Sequence, residues 1–345
     1  MQINQSNISA LRELLASKPA QKIVIVAHTN PDGDALGSTL ALSKILRRMG
    51  HTTTCVAPNN YPYFMGWMNG IKEYKNFKHN TEEVTTAINE CDIIFCLDFN
   101  TATRLEALGE TLMANTTAKR VLIDHHLNPD RESFDIVFSF PEESSTCFVL
   151  YSVIEATFGL EVIDTEVAEL IYTGMMTDTG NFSFAKLSPA LYRALAVFAE
   201  RGIDIPKINN YVYNSFSEGR ARLFGYVVNR KMKFIQDGTV SYMSLTEREM
   251  REHHFQQGDS EGFVNYPLTV AKMKVSALFM AQRKFIRVSL RSRGDIDVNL
   301  FSRKYFGGGG HKNAAGGKSF TSMNETIEYF CKSIEEFAAE GGLEG

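Results

Sequence analysis

Acidic and imidazole side chains gather at four places along the chain. The stretch 28–38 (HTNPDGDALGS) carries His28, Asp32 and Asp34. Asp98 follows the apolar run 92–97 (DIIFCL), and Asp124, His125 and His126 follow the run 120–123 (RVLI). Asp178 sits in 174–182 (GMMTDTGNF). Carboxylate oxygens and imidazole nitrogens are the donors that divalent first-row cations take. Asp32, Asp34, Asp98 and Asp178 crowded into one crevice could not all stay ionised without cations. Two divalent ions would balance those four charges, with Mn²⁺ favoured by the mixed donor set ahead of Mg²⁺, Co²⁺ or Zn²⁺. A pair of ions roughly 4 Å apart polarises a bridging water and stabilises in-line displacement at phosphorus. The chemistry implied is hydrolysis of a phosphate ester. Singly, each cluster has a plainer explanation: His28 as a turn histidine, Asp32 and Asp34 as turn formers or a helix cap beside Pro31 and Gly33, Asp98 as a cap. The catalytic reading requires that they meet.

The elements around them are arranged to bring that about. The runs 22–27 (KIVIVA), 51–57 (HTTTCVA), 92–97 and 120–123 read as strands. Helical patterns lie between them over 35–49 and 81–89, which predicts an α/β domain with a largely parallel sheet. Three of the clusters then follow carboxyl ends of parallel strands, the edge where open sheets hold ligands. Helices are expected over 148–158, 165–176, 188–199 and 213–226. Short strands follow over 232–235, 240–245, 277–282 and 285–289, with a final helix over 324–338. The division expected is 1–190 for the metal-binding domain, 191–230 for a helical connector, and 231–345 for a smaller α+β domain, with the active site in the cleft between domains.

The third segment carries signs of anion binding. Gly307 to Gly310 would let backbone N–H groups approach a phosphate without side-chain interference, and His311 could donate beside them; a flexible linker is the plainer alternative. Between Pro267 and Lys312 there are ten lysines and arginines against Asp295 and Asp297. Part of that is a solvated strand face. Arg291, Ser292 and His311 are the candidates for substrate contact, with Gly308, Gly309 and Gly310. A net charge of −4 argues against long-range grip on duplex DNA. The five cysteines form no CxxC pair and read as buried thiols of a reduced compartment. The N-terminus reads as an amphipathic helix, not a signal peptide, and no run is long enough to cross a membrane, so cytoplasm is expected.

The set His28-x3-Asp32-x-Asp34, Asp98, Asp124-His125-His126 and Asp178 resembles the DHH phosphoesterases, and 307–316 (GGGGHKNAAG) resembles their DHHA1 substrate-binding domain. The resemblance covers nearly the whole chain. It implies that His28, Asp32 and Asp98 hold one metal and Asp34, Asp98, His125 and Asp178 the other, with Asp98 bridging. It implies that His126 contacts the scissile phosphate or supports the site, that Asp124 orients the neighbouring histidines, and that Asn30 and Arg104 touch phosphate.

Within that superfamily the arrangement is most similar to stand-alone bacterial nano-RNases that also remove the 3′-phosphate of 3′-phosphoadenosine 5′-phosphate (pAp). The implied partners are short single-stranded RNA and small nucleotides. Alternatives left open are a cyclic di-AMP or pApA phosphodiesterase, a pyrophosphatase or exopolyphosphatase on the same metals, and a non-catalytic nucleotide-binding protein. The sequence leaves the oligomeric state open, a homodimer included.

Overall fold

Unbroken apolar runs bounded by turn residues make strands that are buried on both faces, the pattern of a parallel sheet covered by helices. In the computed structural model, which describes residues 2–183 and 187–344, these runs become β1 (Lys22–Val26), β2 (Thr52–Ala57), β4 (Ile93–Leu97) and β5 (Lys119–Asp124). Two shorter strands, β3 (Lys75–Asn76) and β6 (Ile136–Ser139), complete a six-stranded sheet in the order β3-β2-β1-β4-β5-β6, with every pairing parallel. The chain builds outward from β1 in one direction, then returns to place β4 on the other side. The carboxyl ends of β1 and β4 therefore border a topological switch point, where the loops diverge and leave a crevice.

Helices α1 (Gln5–Ala16), α2 (Gly33–Arg48), α3 (Thr81–Glu90), α4 (Ala107–Ala114), α5 (Thr146–Phe158) and α6 (Thr165–Asp178) accompany this sheet. One side of the sheet packs Val24, Val26, Ile94, Cys96 and Leu122 against Val84, Ile88, Leu108 and Leu112 from α3 and α4. Burying a side chain of this size contributes about 1.5–3 kcal/mol, so the sheet is held firmly where it presents its carboxyl ends. Two further helices, α7 (Pro189–Glu200) and α8 (Ile205–Tyr213), bury Leu191, Ala194, Phe198, Ile208 and Val212.

The chain forms two compact units, Met1–Ser215 and Phe216–Gly345. The boundary falls inside the stretch expected as a separate connector: α7 and α8 belong to the first unit, and α9 (Glu218–Tyr226), with Leu223 buried, belongs to the second. The helix expected over 213–226 is interrupted, because Ser217 caps a new start with its side chain on the Arg220 N–H. Met1 and Gly345, the outer bounds of the expected domains, lie outside the described residues.

The second unit is a mixed α+β fold. Its strands are β7 (Lys233–Ile235), β8 (Val240–Leu245), β9 (Val275–Gln282), β10 (Phe285–Ser292), β11 (Gly309–His311) and β12 (Ala314–Ser319), in the order β11-β12-β10-β9-β8-β7. Helices α10 (Glu247–Glu252), α11 (Val298–Phe306) and α12 (Met323–Ala339) complete it. Val288, Leu290 and Ala315 pack on Phe301, Phe306, Phe330 and Ile334 from α11 and α12. Among the described residues no helix is long and apolar enough to cross a membrane.

Candidate metal centre

Strand register explains why residues nearly a hundred positions apart meet. Val26 pairs with Cys96 and Cys96 with Leu122. Two residues beyond these three come His28, Asp98 and Asp124, side by side at the carboxyl edge. Asp98 adopts φ = 64°, the left-handed region that costs a non-glycine residue about 1 kcal/mol. Its N–H still bonds to the Ile123 carbonyl (3.2 Å), so β5 anchors the turn.

The helices deliver the remaining donors. Asp32 does cap α2: its Oδ1 accepts from the N–H groups of Asp34 (3.0 Å) and Ala35 (3.1 Å). The capping reading and the ligand reading are compatible, since a carboxylate has a second oxygen. Asp34 stands in the first turn of α2 and Asp178 ends α6. These two helices approach closely because glycine lines their contact. A Cβ on Gly37 would lie 2.4 Å from the Leu170 carbonyl oxygen, and one on Gly174 would lie 2.9 Å from Asp34 Oδ1.

The donors fall into interlocking groups: His28, Asp32 and Asp98; Asp34, His125 and Asp178; Asp98, Asp124 and His126. Within each group the ligand atoms lie within 4.8 Å of one another. His125 Nε2 is 3.3 Å from Asp178 Oδ2, 3.7 Å from Asp98 Oδ1 and 3.9 Å from Asp34 Oδ2. His28 Nε2 is 3.2 Å from Asp98 Oδ2. Asp98 thus belongs to both sides of the centre.

Imidazole orientation shows that this constellation fits cations. His28 Nδ1 faces the Thr29 carbonyl (2.9 Å) and His125 Nδ1 faces the Glu143 carbonyl (3.3 Å). A carbonyl only accepts, so each Nδ1 carries a proton and each Nε2 is the atom turned to the carboxylate oxygens. Facing acceptors need a proton or a metal ion between them. His126 differs. Its Nδ1 donates to Asp124 Oδ1 (2.7 Å), and its Nε2 accepts from Arg104 Nη1 (2.7 Å). Asp124 therefore orients His126, which holds the Arg104 guanidinium.

Electrostatics follows the same pattern. Burial pushes the Asp34 carboxyl well above its usual range, and the charges of Asp98, Asp178 and Asp32 push it further. Burial alone would raise Asp98 too, but its hydrogen bond with His28 and the surrounding histidines hold it far below the usual carboxylate range. Burial lifts Asp124 to about 6. Desolvation opposes protonation of His28 and His125. Asp98 outweighs it at His28, and Asp178 with Asp98 outweighs it at His125, so both histidines are raised.

Sequence reasoning missed the N-terminus of α5. Thr146 N–H donates to Asp34 Oδ2 (2.7 Å) and Cys147 N–H to Asp34 Oδ1 (2.8 Å). The Thr146 hydroxyl donates to Asp98 Oδ1 (2.9 Å). Ser145 ahead of the apolar run 148–158 signals a helix start, but nothing local signals that it aims at a carboxylate forty-odd or a hundred-odd residues earlier.

The other expected contacts are placed less simply. Asn30 is locked to Asn59 by reciprocal bonds, its N–H and its side-chain oxygen each 2.6 Å from the partner amide. In the second unit, Arg291 and His311 share a cross-strand row, both opposite Ala314. Ser292 is buried; its hydroxyl donates to the Ile296 carbonyl (2.6 Å) and accepts from Asn313 (2.9 Å), which builds it into a turn. Gly309 and Gly310 are not loop but strand β11, paired with Gly316 and Ala315. The backbones pack closely here: a Cβ on Gly310 would lie 2.4 Å from the Ala314 carbonyl oxygen, and one on Gly308, just ahead of the strand, 1.9 Å from that of Gly316.

A switch-point crevice in a parallel sheet, lined with carboxylates and imidazoles from five elements, defines a hydrolase of phosphoric esters. The chain belongs to the DHH family: the family's N-terminal domain matches residues 22–175, and the DHHA1 domain matches residues 237–340. It is similar to the bifunctional oligoribonuclease and PAP phosphatase NrnA of Mycoplasma genitalium, 29% identical over 87% of this chain and 89% of that one. The Thermus thermophilus protein of the same name is 29% identical over 93% and 91%. A crystal structure of an exopolyphosphatase-related protein from Bacteroides fragilis is 36% identical, covers 99% of both chains and superposes with a TM-score of 0.92.

Proposed function

We propose that this phosphoesterase works with two divalent cations, Mn²⁺ first among them, on short oligoribonucleotides and on pAp. The single observation that carries the metal reading is the pair of imidazoles, His28 and His125, each turned by a backbone carbonyl so that Nε2 meets carboxylates around Asp98. His28, Asp32 and Asp98 would hold one ion, and Asp34, Asp98, His125 and Asp178 the other. Bound there, the ions would neutralise phosphoryl charge and acidify a water. The chain's own residues then supply the rest. Arg104, fixed by His126, offers a planar guanidinium to a phosphate oxygen. Asp124 keeps His126 in one tautomer. In the second unit Arg291 and His311 are the proposed substrate contacts, with Gly308, Gly309 and Gly310 supplying backbone.

The substrate assignment is supported by the names of two relatives aligned over most of their length. Hydrolysis of polyphosphate is the second reading, favoured by the description of the Bacteroides fragilis structure. A rate panel decides: pAp, di- to pentaribonucleotides, pApA, cyclic di-AMP, pyrophosphate and polyphosphate, each with Mn²⁺ and with chelator. The expected result is Mn²⁺-dependent release from pAp and the short RNAs, lost in Asp98→Ala. Full activity in chelator or in Asp98→Ala refutes the metal centre. Activity confined to pyrophosphate or polyphosphate refutes the substrate.

A further inference from the structure

In the second unit, the side of β10 and β12 turned away from α11 and α12 carries a register-defined row that runs on from Arg291, past the contacts already proposed. Strand β10 alternates strictly, with Ile286, Val288, Leu290 and Ser292 buried and the odd positions partly exposed. Along those odd positions, Arg291 stands opposite Ala314, Ser289 opposite Gly316, and Arg287, whose guanidinium is turned onto Ser260 and Met280, opposite the exposed Lys318. The track ends in two aromatic rings: Phe320, 77% exposed, contacts Phe285 at 6.2 Å between centroids. Lys318 Nζ lies 4.9 Å over the Phe285 ring. Arg283 and Lys284 are exposed in the adjoining hairpin turn. Neither β10 nor β12 contains an acidic residue.

We propose that this face is an auxiliary binding track for single-stranded RNA, running from Arg291 to an aromatic platform at Phe285 and Phe320. Each component suits that ligand. Small side chains at Ser289, Ala314 and Gly316 leave room for a backbone, cations flank it, and exposed rings stack bases without reading sequence. A merely solvated sheet face would not need a phenylalanine three-quarters exposed against a second ring that carries a lysine. The occupant is single-stranded because a duplex hides its base faces. Six residue steps from Arg291 to Phe285 span about 20 Å at ~3.4 Å per residue. At ~3.4 Å per stacked nucleotide, that is about six nucleotides. The track would thus engage only chains longer than the shortest substrates. This inference rests on the reading that the enzyme's substrates include RNA.

The test is binding of fluorescein-labelled oligoadenylates of two, six and twelve nucleotides to the full-length protein, in chelator so that none is cut. The variants are Phe320→Ala and Lys318→Ala, both at exposed positions, with thermal melting to confirm folding. The expected result is a loss of about tenfold in affinity for the twelve-mer in Phe320→Ala. Lys318→Ala should weaken twelve-mer binding and flatten its salt dependence, and the dinucleotide should bind all three proteins alike. Equal affinity of all three proteins for the twelve-mer overturns the track. So does a loss that is the same at every length, or one seen only with vesicles of anionic phospholipid. Binding is read without turnover, so the two readings fail separately. A wild type that binds the twelve-mer in this length-dependent way but cuts neither RNA nor pAp sinks the proposed activity alone. One that cuts both while the variants bind normally sinks the track alone.

Discussion

Gly174 is one helical turn before Asp178 and faces Asp34, so adding a methyl group there should damage the metal centre from behind. In Gly174→Ala the new Cβ would lie 2.2 Å from Cys147 Sγ, 2.9 Å from Asp34 Oδ1 and 3.0 Å from Asp34 Cα. Non-bonded carbon contacts relax at about 3.5 Å or more, so α2, α5 or α6 must yield by roughly 1 Å. Overpacking of this kind costs about 1–3 kcal/mol. The greater cost is functional, because misplacing reacting groups by ~1 Å can lower turnover about 10²-fold. Steady-state kinetics on the best substrate of the panel, with Mn²⁺ titrated to saturation, should show that loss together with weaker metal binding, while the melting temperature drops only a few degrees. Adding Cys147→Ala removes the tightest contact and should restore part of the activity. A Gly174→Ala enzyme with wild-type turnover and metal affinity refutes the claim that α2–α6 contact sets the position of Asp34 and Asp178.

Thr146→Val keeps the shape of the side chain but deletes the hydrogen bond to Asp98; calorimetric titration should show Mn²⁺ affinity falling about 10–100-fold. Arg104→Lys keeps the charge but loses the planar fork held by His126, so KM for phosphate-bearing substrates should rise several-fold while metal affinity is unchanged. Stability of the metal-free protein should fall with rising pH. His28, His125 and Asp34 are all raised in the folded state, so their contributions are complete below the unfolded values and disappear as pH climbs through the folded ones. For the histidines that loss begins above the ordinary 6.5. Asp98, lowered instead, acts only in the acid range below the usual carboxylate value. Melting curves from pH 6 to 8.5 in chelator should therefore slope downward, and Mn²⁺ should flatten or reverse the slope. A metal-free protein that grows more stable over that range contradicts the crowded-carboxylate picture.

What the sequence determined by itself was chemistry and strand placement. The apolar runs ending in His28, Asp98 and Asp124 are local patterns, and a parallel sheet brings such ends to one edge by geometry alone, so the meeting of these side chains could be anticipated without coordinates. Asp178 was legible as a residue type but not as a position, because its place depends on how closely α6 packs on α2, which Gly37 and Gly174 permit. Thr146 and the amides of α5 were invisible for the same reason: a helix start carries a local signal, but its target lies in another element. The division of 191–230 between two units was set by which side Leu191, Phe198, Val212 and Leu223 bury against. The glycine run has a flexible linker as its plainer reading in one dimension, yet Gly309 and Gly310 enter β11, and only residues without Cβ atoms let Gly308 and Gly310 lie so close to the β12 backbone. Side-chain type and period are properties of the chain; which lone pair faces which carboxylate is decided only when distant elements pack.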